Sequence, residues 1–414
     1  MSRRALVGLV SAEALALTGT RISLVAVPWF VLETTDSPAH MGLVTLFEMG
    51  AYTLARLFGG PALDRVGQRA VSVRLDLVAA AALLPIPLLH GGGLLPFPLL
   101  LALVTVVGLA TGPSESAKVS MAPSVAAATG TRLERVTALT GTVDRLSQSV
   151  GPVAAGALVG LLGALSALLL TGTLMILASA VLAALAPRTR PGGDADAEGG
   201  YPARLHAGWS AVWGDRTLRV LVVMIMVTNL IDTAVMTIAL PLWVRGHGLG
   251  PEAVGLVAGV LGGGSVLGSL VAVGVGHRLP RGLTLFGALA LTGPPRILVL
   301  ALDTPLWLTV AVWGVAGLGG GLVNPILAAV VFERLPAHLV GRGTAMVGAL
   351  TRLAAPVGAP VVGAAIALLG ISPVLLVCSV VYGAVVTLSA FGPRTPPPGG
   401  GRGSWTRPGR PRMR

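Results

Sequence analysis

Apolar runs long enough to cross a hydrocarbon layer as helices recur twelve times along the chain. Their approximate limits are 5–32, 40–62, 71–90, 95–115, 136–162, 166–186, 218–243, 252–275, 283–302, 305–331, 344–369 and 372–391. Most joints between them are short, so successive helices must run antiparallel. The pattern predicts an all-α integral membrane protein with twelve transmembrane helices. Its longest polar interval, residues 187–215, divides the chain near its midpoint. Residues 191–200 read as a flexible Gly/Asp/Ala linker, after which Leu205, Trp209, Val212 and Trp213 recur at helical spacing and predict a short interfacial helix. The expected organisation is a six-helix bundle over 1–187, a linker with that helix over 188–217, a second six-helix bundle over 218–392 and a basic disordered tail over 393–414.

Composition agrees with the pattern. Of 414 residues, 54% are hydrophobic and only 11% charged, a balance that belongs in a bilayer. Cations exceed acids by 29 to 17, and the net charge of +12 could mean nucleic acid, anionic lipid or membrane topology. Its distribution decides for topology, because the cations cluster in joints and form no aromatic-interleaved patch. One set of joints carries Arg3 and Arg4, Arg65 and Arg69, Lys118, Arg132 and Arg135, and the run from Arg188 to Arg219. The same set continues with Arg278 and Arg281, Arg334 and Arg342, and an arginine-rich tail. Opposite joints hold Arg245 with Glu33, Asp36, Glu252 and Asp303. Both termini are therefore expected on the cytoplasmic side, with the first run a retained span and not a cleaved signal. Lys118 is the single lysine, an arginine bias that fits a GC-rich bacterial genome and hence a bacterial cytoplasmic membrane.

The halves also resemble each other. In span five, the Thr137 to Gly141 stretch leads to Arg145, Gly151, Gly156 and Gly163; in span eleven, the Thr344 to Gly348 stretch leads to Arg352, Gly358, Gly363 and Gly370 at a constant offset of 207. Spans one and seven align at an offset of 213 through Ala26, Pro28 and Val31 against Ala239, Pro241 and Val244. The chain reads as a duplicated six-span unit.

Between spans two and three, Gly60, Asp64, Arg65, Gly67 and Arg69 fill the pattern G-x-x-x-D-R-x-G-x-R. With this motif the whole chain resembles a twelve-span transporter of the major facilitator superfamily. The second-half counterpart keeps Arg278 and Arg281 but has His277 in place of the acid. Gly151, Pro152 and Gly156 in span five resemble the glycine-rich motif of export-type members, where small residues allow close approach and the proline kinks the helix. The end of span one, residues 117–123 and the run before span seven resemble the enterobactin-exporter and macrolide-efflux branch. One departure is plain: the span-four arginine usual in proton coupling is missing between Leu95 and Thr111.

An ionisable group inside a span is expensive, so each is a functional candidate. Glu13 and Arg21 in span one, and Glu48 and Arg56 in span two, are each eight residues apart. Opposed positions in an antiparallel pair have a constant sum, 69 for both Arg21 with Glu48 and Glu13 with Arg56. Two cross-helix ion pairs follow, serving either as static neutralisation or as exchangeable coupling groups. The resemblance places spans one and seven around a central cavity, which makes Asp232 with Asn229, and Trp29, candidates for the substrate path. Asn324, before Pro325 on span ten, is a further cavity candidate as a polar wall, against a plain packing kink. Asp232 is the first choice for proton coupling, against a local pairing with Asn229, Thr228 or Thr233. The resemblance also implies a cytoplasmic gate. Asp64 would dock near Gly341, Gly343 and Thr344, Arg65 or Arg69 would meet Glu115, and Asp144, Arg145 and Arg352 would join the network. Arg74 and Asp76 read as end charges of span three.

Enzyme signatures are absent. The six histidines have no metal-ligand spacing, and the glycine triplets 262–264 and 319–321 lack the residues of a phosphate loop. No cofactor or metal is expected, and the proton gradient is the expected energy source. The resemblance implies export of a small amphipathic organic compound by alternating access, with protons and lipids as partners, no nucleic acid, and a functional monomer. An importer or uniporter of a nutrient is the alternative, and a transport-dead scaffold the least favoured.

Overall fold

The structure is a computed structural model that describes residues 3–59, 66–187, 200–275, 280–335 and 339–391. Among these, every regular element is helical. Spans one and two are single helices, Arg4–Thr35 and Pro38–Phe58. Span three joins Gln68–Leu83 to Pro85–Gly91, span nine joins Arg281–Thr292 to Pro294–Ala301, and span eleven joins Val340–Leu353 to Ala355–Leu369. Each second segment carries proline in its first turn, the place where a missing N–H costs least. Span four is Phe97–Ser120, continued by Ala122–Thr129; spans eight, ten and twelve are Pro251–Val275, Leu306–Arg334 and Ile371–Phe391. A helix does occupy Gly200–Gly214, with Trp209 stacked on Trp213 at 4.4 Å.

Span seven runs Arg216–Ala234, passes through a π-helical turn at Val235–Ala239 and ends as Leu240–Gly246. Pro241 has no N–H to donate to the preceding turn, and the wider turn absorbs that loss.

Spans five and six form one element, Leu133–Leu185, whose backbone leaves helical geometry at Gly163. The break there, φ 80° and ψ 159°, is repeated between spans eleven and twelve by Gly370 at φ 83° and ψ 166°. Only glycine takes that conformation readily. The duplication read from the sequence therefore extends to the backbone. Pro152 lies inside the helical part of this element, and the non-helical φ/ψ falls at Gly163, in the joint expected between spans five and six.

Span one lies along the five–six element, while span two packs on spans four and eleven. Spans eight and ten pack closely, and span five crosses to span eight. Two of the contacts that join the halves are matched. A Cβ on Gly42 would fall 2.6 Å from Pro360 Cα and 2.7 Å from the Ala359 carbonyl oxygen. A Cβ on Gly255, its counterpart at offset 213, would fall 2.7 Å from the Pro152 carbonyl oxygen and 2.8 Å from Gly156 Cα. Gly363 closes on Pro38 as Gly156 closes on Pro251 and Gly255. These contacts seal the side with few arginines. A cavity lies beyond them, lined by residues near the arginine-rich joints such as Phe332, Thr344 and Arg352.

Candidate functional site

A cavity of about 720 Å³ lies between the halves. Met49, Tyr52 and Thr53 of span two form its N-terminal wall, and spans seven, nine, ten, eleven and twelve form the rest. Asp232, Asn229 and Asn324 all line it. Asn229 is fixed by donating Nδ2 to the Thr351 carbonyl at 2.8 Å. Trp29 is not a cavity residue. It is 5% exposed in the main hydrophobic core and donates Nε1 to Glu33 at 2.7 Å, because its helix turns that face toward spans five and six.

Asp232 pairs with Arg296 of span nine and not with its own helix. The carboxyl keeps 29% exposure toward the cavity, whereas Arg296 is buried at 3%. Arg296 is held from behind: its guanidinium sits 5.4 Å from the Trp313 ring centroid, and its carbonyl accepts Trp313 Nε1 at 3.1 Å. Sequence reasoning missed Arg296, although the rule that selected Asp232 applies equally to an arginine inside span nine.

The two cross-helix pairs predicted for spans one and two are replaced by others. Arg21 meets Asp144 of span five at 3.6 Å, and Asp144 also accepts from Gln148 at 2.8 Å. Arg56 meets Glu115 of span four at 3.5 Å and donates to the Tyr52 hydroxyl at 2.5 Å. Tyr52 in turn donates to Glu115 at 2.5 Å. A constant sum fixes depth but not direction, and these faces of spans one and two turn to spans five and four. Glu48 lies beside Ser23, outside the cavity lining. Glu13 is 6% exposed, and its Oε2 has no hydrogen-bond partner.

Asp76 and Lys118 overturn a second expectation. Asp76 is not an end charge and Lys118 is not an open joint cation; they form a buried pair at 2.8 Å, with side-chain exposures of 4% and 2%. Lys118 also donates to Ser114 Oγ at 2.9 Å, and Ser114 donates to Asp76.

Of the motif between spans two and three, Gly60, Asp64 and Arg65 lie outside the described residues, as do His277, Arg278, the linker 188–199 and the tail from 392. Gly67 is described at φ 88°, and Arg69 donates to the carbonyls of Leu182 and Ala183 at the end of span six. Glu115 is engaged by Arg56 and Tyr52. Arg145 and Arg352 occupy matched exposed positions, and Arg352 lines the cavity. Gly151 lets the Arg21 side chain lie against span five, where a Cβ would fall 2.8 Å from Arg21 Cβ.

Comparison with known proteins gives consistent results. The family model "Major Facilitator Superfamily" matches residues 9–272 and 223–413. The chain is 29% identical over 354 residues to "Multidrug efflux pump Tap" of Mycobacterium tuberculosis, covering 84% of this chain and 83% of that pump. It is 25% identical over 346 residues to the pump of the same name from Mycolicibacterium fortuitum, covering 82% and 84%. Among solved structures, the nucleoside transporter NupG superposes with a TM-score of 0.76 at 13% identity, covering 94% of this chain and 98% of that one. A bacterial homologue of the human lysosomal transporter Spinster, in an inward-facing and unoccupied conformation, gives 0.71 at 13% identity, covering 93% and 96%.

Proposed function

The chain belongs to the Major Facilitator Superfamily, a multi-pass membrane protein, and from that membership we propose that it exports small amphipathic organic compounds, drugs or secondary metabolites, by alternating access in exchange for protons. Its place is a bacterial cytoplasmic membrane with both termini inside, and the arginine-rich side is cytoplasmic. The likeness to efflux pumps over most of both chains supports export. The observation that carries the reading is the cavity that reaches Asp232 and its partner Arg296.

The chemistry of coupling follows from that pair. A buried arginine without its acid is costly, so Asp232 can take a proton only as Arg296 finds other acceptors or as substrate leaves. Proton and substrate then compete for one carboxyl, which is the requirement for antiport. The cavity would open inward here and the sealed side would face out.

Proteoliposomes decide the matter. An imposed pH gradient drives uptake of a fluorescent drug into inside-acid vesicles through inverted protein, and Asp232→Asn abolishes gradient-driven uptake while keeping counterflow exchange. Counterflow with no response to pH in the native protein would make it a uniporter. Absence of both would make it a scaffold.

A further inference from the structure

Hydrogen-bond direction around the cavity is set by chemistry, because a backbone carbonyl can only accept. The hydroxyls of Thr53, Thr228, Thr292, Thr344 and Thr351 donate to carbonyls of their own helices, at 2.8, 3.1, 2.7, 2.6 and 2.8 Å respectively. All five line the cavity. A hydroxyl has one proton, so four of them offer the cavity only lone pairs, while Thr228 is engaged with the Tyr382 hydroxyl. Asn229 is committed in the same sense: its amide nitrogen faces the Thr351 carbonyl, which leaves Oδ1 to the ligand. Tyr52 has spent its proton on Glu115. Asp232 is an acceptor when ionised, with Arg296 on one oxygen only. Tyr382 is hydrogen-bonded to Thr228, so the donors remaining on this wall are the Asn324 amide, the Thr233 hydroxyl and Arg352.

The wall is thus dominated by acceptors set among apolar groups such as Ile225, Leu289, Val323 and Val347. A ligand that fills it strips water from those oxygens, and each one left unmet loses affinity. We infer that the substrate is a donor-rich amphiphile, carrying several O–H and N–H groups on an apolar frame, and not a lipophilic cation without donors. This rests on the export reading and sharpens it.

Three probes in proteoliposomes under an imposed pH gradient test it: a dansyl-labelled amino-polyol, its fully N,O-methylated counterpart, and tetraphenylphosphonium, a cation with no donor. The amino-polyol is expected to have a KM lower than its methylated counterpart by about tenfold or more, and tetraphenylphosphonium to be transported least. Thr351→Val, which keeps shape and removes the acceptor, raises KM for the amino-polyol and leaves that of the methylated compound unchanged. Thr53→Val gives the same split if Thr351→Val does not fold. Equal KM for the methylated pair, or preference for tetraphenylphosphonium, overturns the donor-rich class while leaving export intact. Transport of none of the three by folded protein removes the export reading and this inference with it.

Discussion

Lys118 is the single lysine in the chain, and it is among the most deeply buried large side chains. A compact ammonium fits between Asp76 and Ser114 where a planar guanidinium would not. Removing one partner of such a pair leaves a buried charge alone, at a cost of about 3–5 kcal/mol. Lys118→Met is therefore expected to lower the melting temperature in detergent sharply, and the double change Asp76→Leu with Lys118→Met to recover most of it. A double variant no more stable than Lys118→Met would give the pair a role besides neutralisation. Neither this pair nor Arg296 was legible from spacing. Asp232, Asn229 and Asn324 were, because a polar residue in an apolar run announces itself and span identity places it near the axis. Partner choice was not, since it depends on helix rotation, and the depth rule for Arg21 and Arg56 says nothing of rotation. Trp29 failed for the same reason.

At the scale of elements, duplication was the most legible feature, and it proves to be a duplication of backbone contacts more than of chemistry. Gly108 and Gly112 of span four rest on the carbonyls of Glu48 and Tyr52, and Gly317 and Gly321 of span ten rest on those of Leu261 and Ser265, the span-four and span-ten glycines differing by 209 throughout. By the same offset Asn324 stands where Glu115 does. The helices kept their seats while the side chains diverged, which leaves the ionised Arg56 and Glu115 pair in one half and a neutral amide in the other. Such seats are visible in sequence as small residues at helical spacing. Their partners are not, because a glycine names no neighbour. The matched closures at Gly42 and Gly255 should tolerate no Cβ. Gly42→Ala and Gly255→Ala are each expected to hold the sealed side apart and to raise alkylation of a cysteine placed at Pro38 or Pro251. If either alanine leaves transport and alkylation at native levels, that closure is not part of the gate.

For the whole molecule, the apolar spans were legible but the state was not, because charge in the joints bears on sidedness and says nothing about which side is open. The state depends on small differences between contacts on the two sides. On the sealed side, Arg245 of span seven reaches across the halves to span one, 3.1 Å from Asp36 and donating to the Leu32 carbonyl at 2.5 Å. It is the lone arginine of the acidic joints, a placement that disobeys the charge rule and so asks for a reason. Closing the halves supplies one: both partners belong to the other bundle, and opening that side must break both contacts. The ion pair is exposed, with Asp36 at 81%, so its share is small, and the whole latch contributes about 1 kcal/mol. That is about a fivefold shift between two states. Arg245→Ala should accordingly populate the form open on this side, seen as a longer spin-label distance between Glu33 and Asp303, while melting temperature stays near native. Asp36→Asn alone should produce a smaller shift, because the carbonyl contact survives. Unchanged distance distributions in Arg245→Ala would mean that the glycine closures alone decide which side is shut.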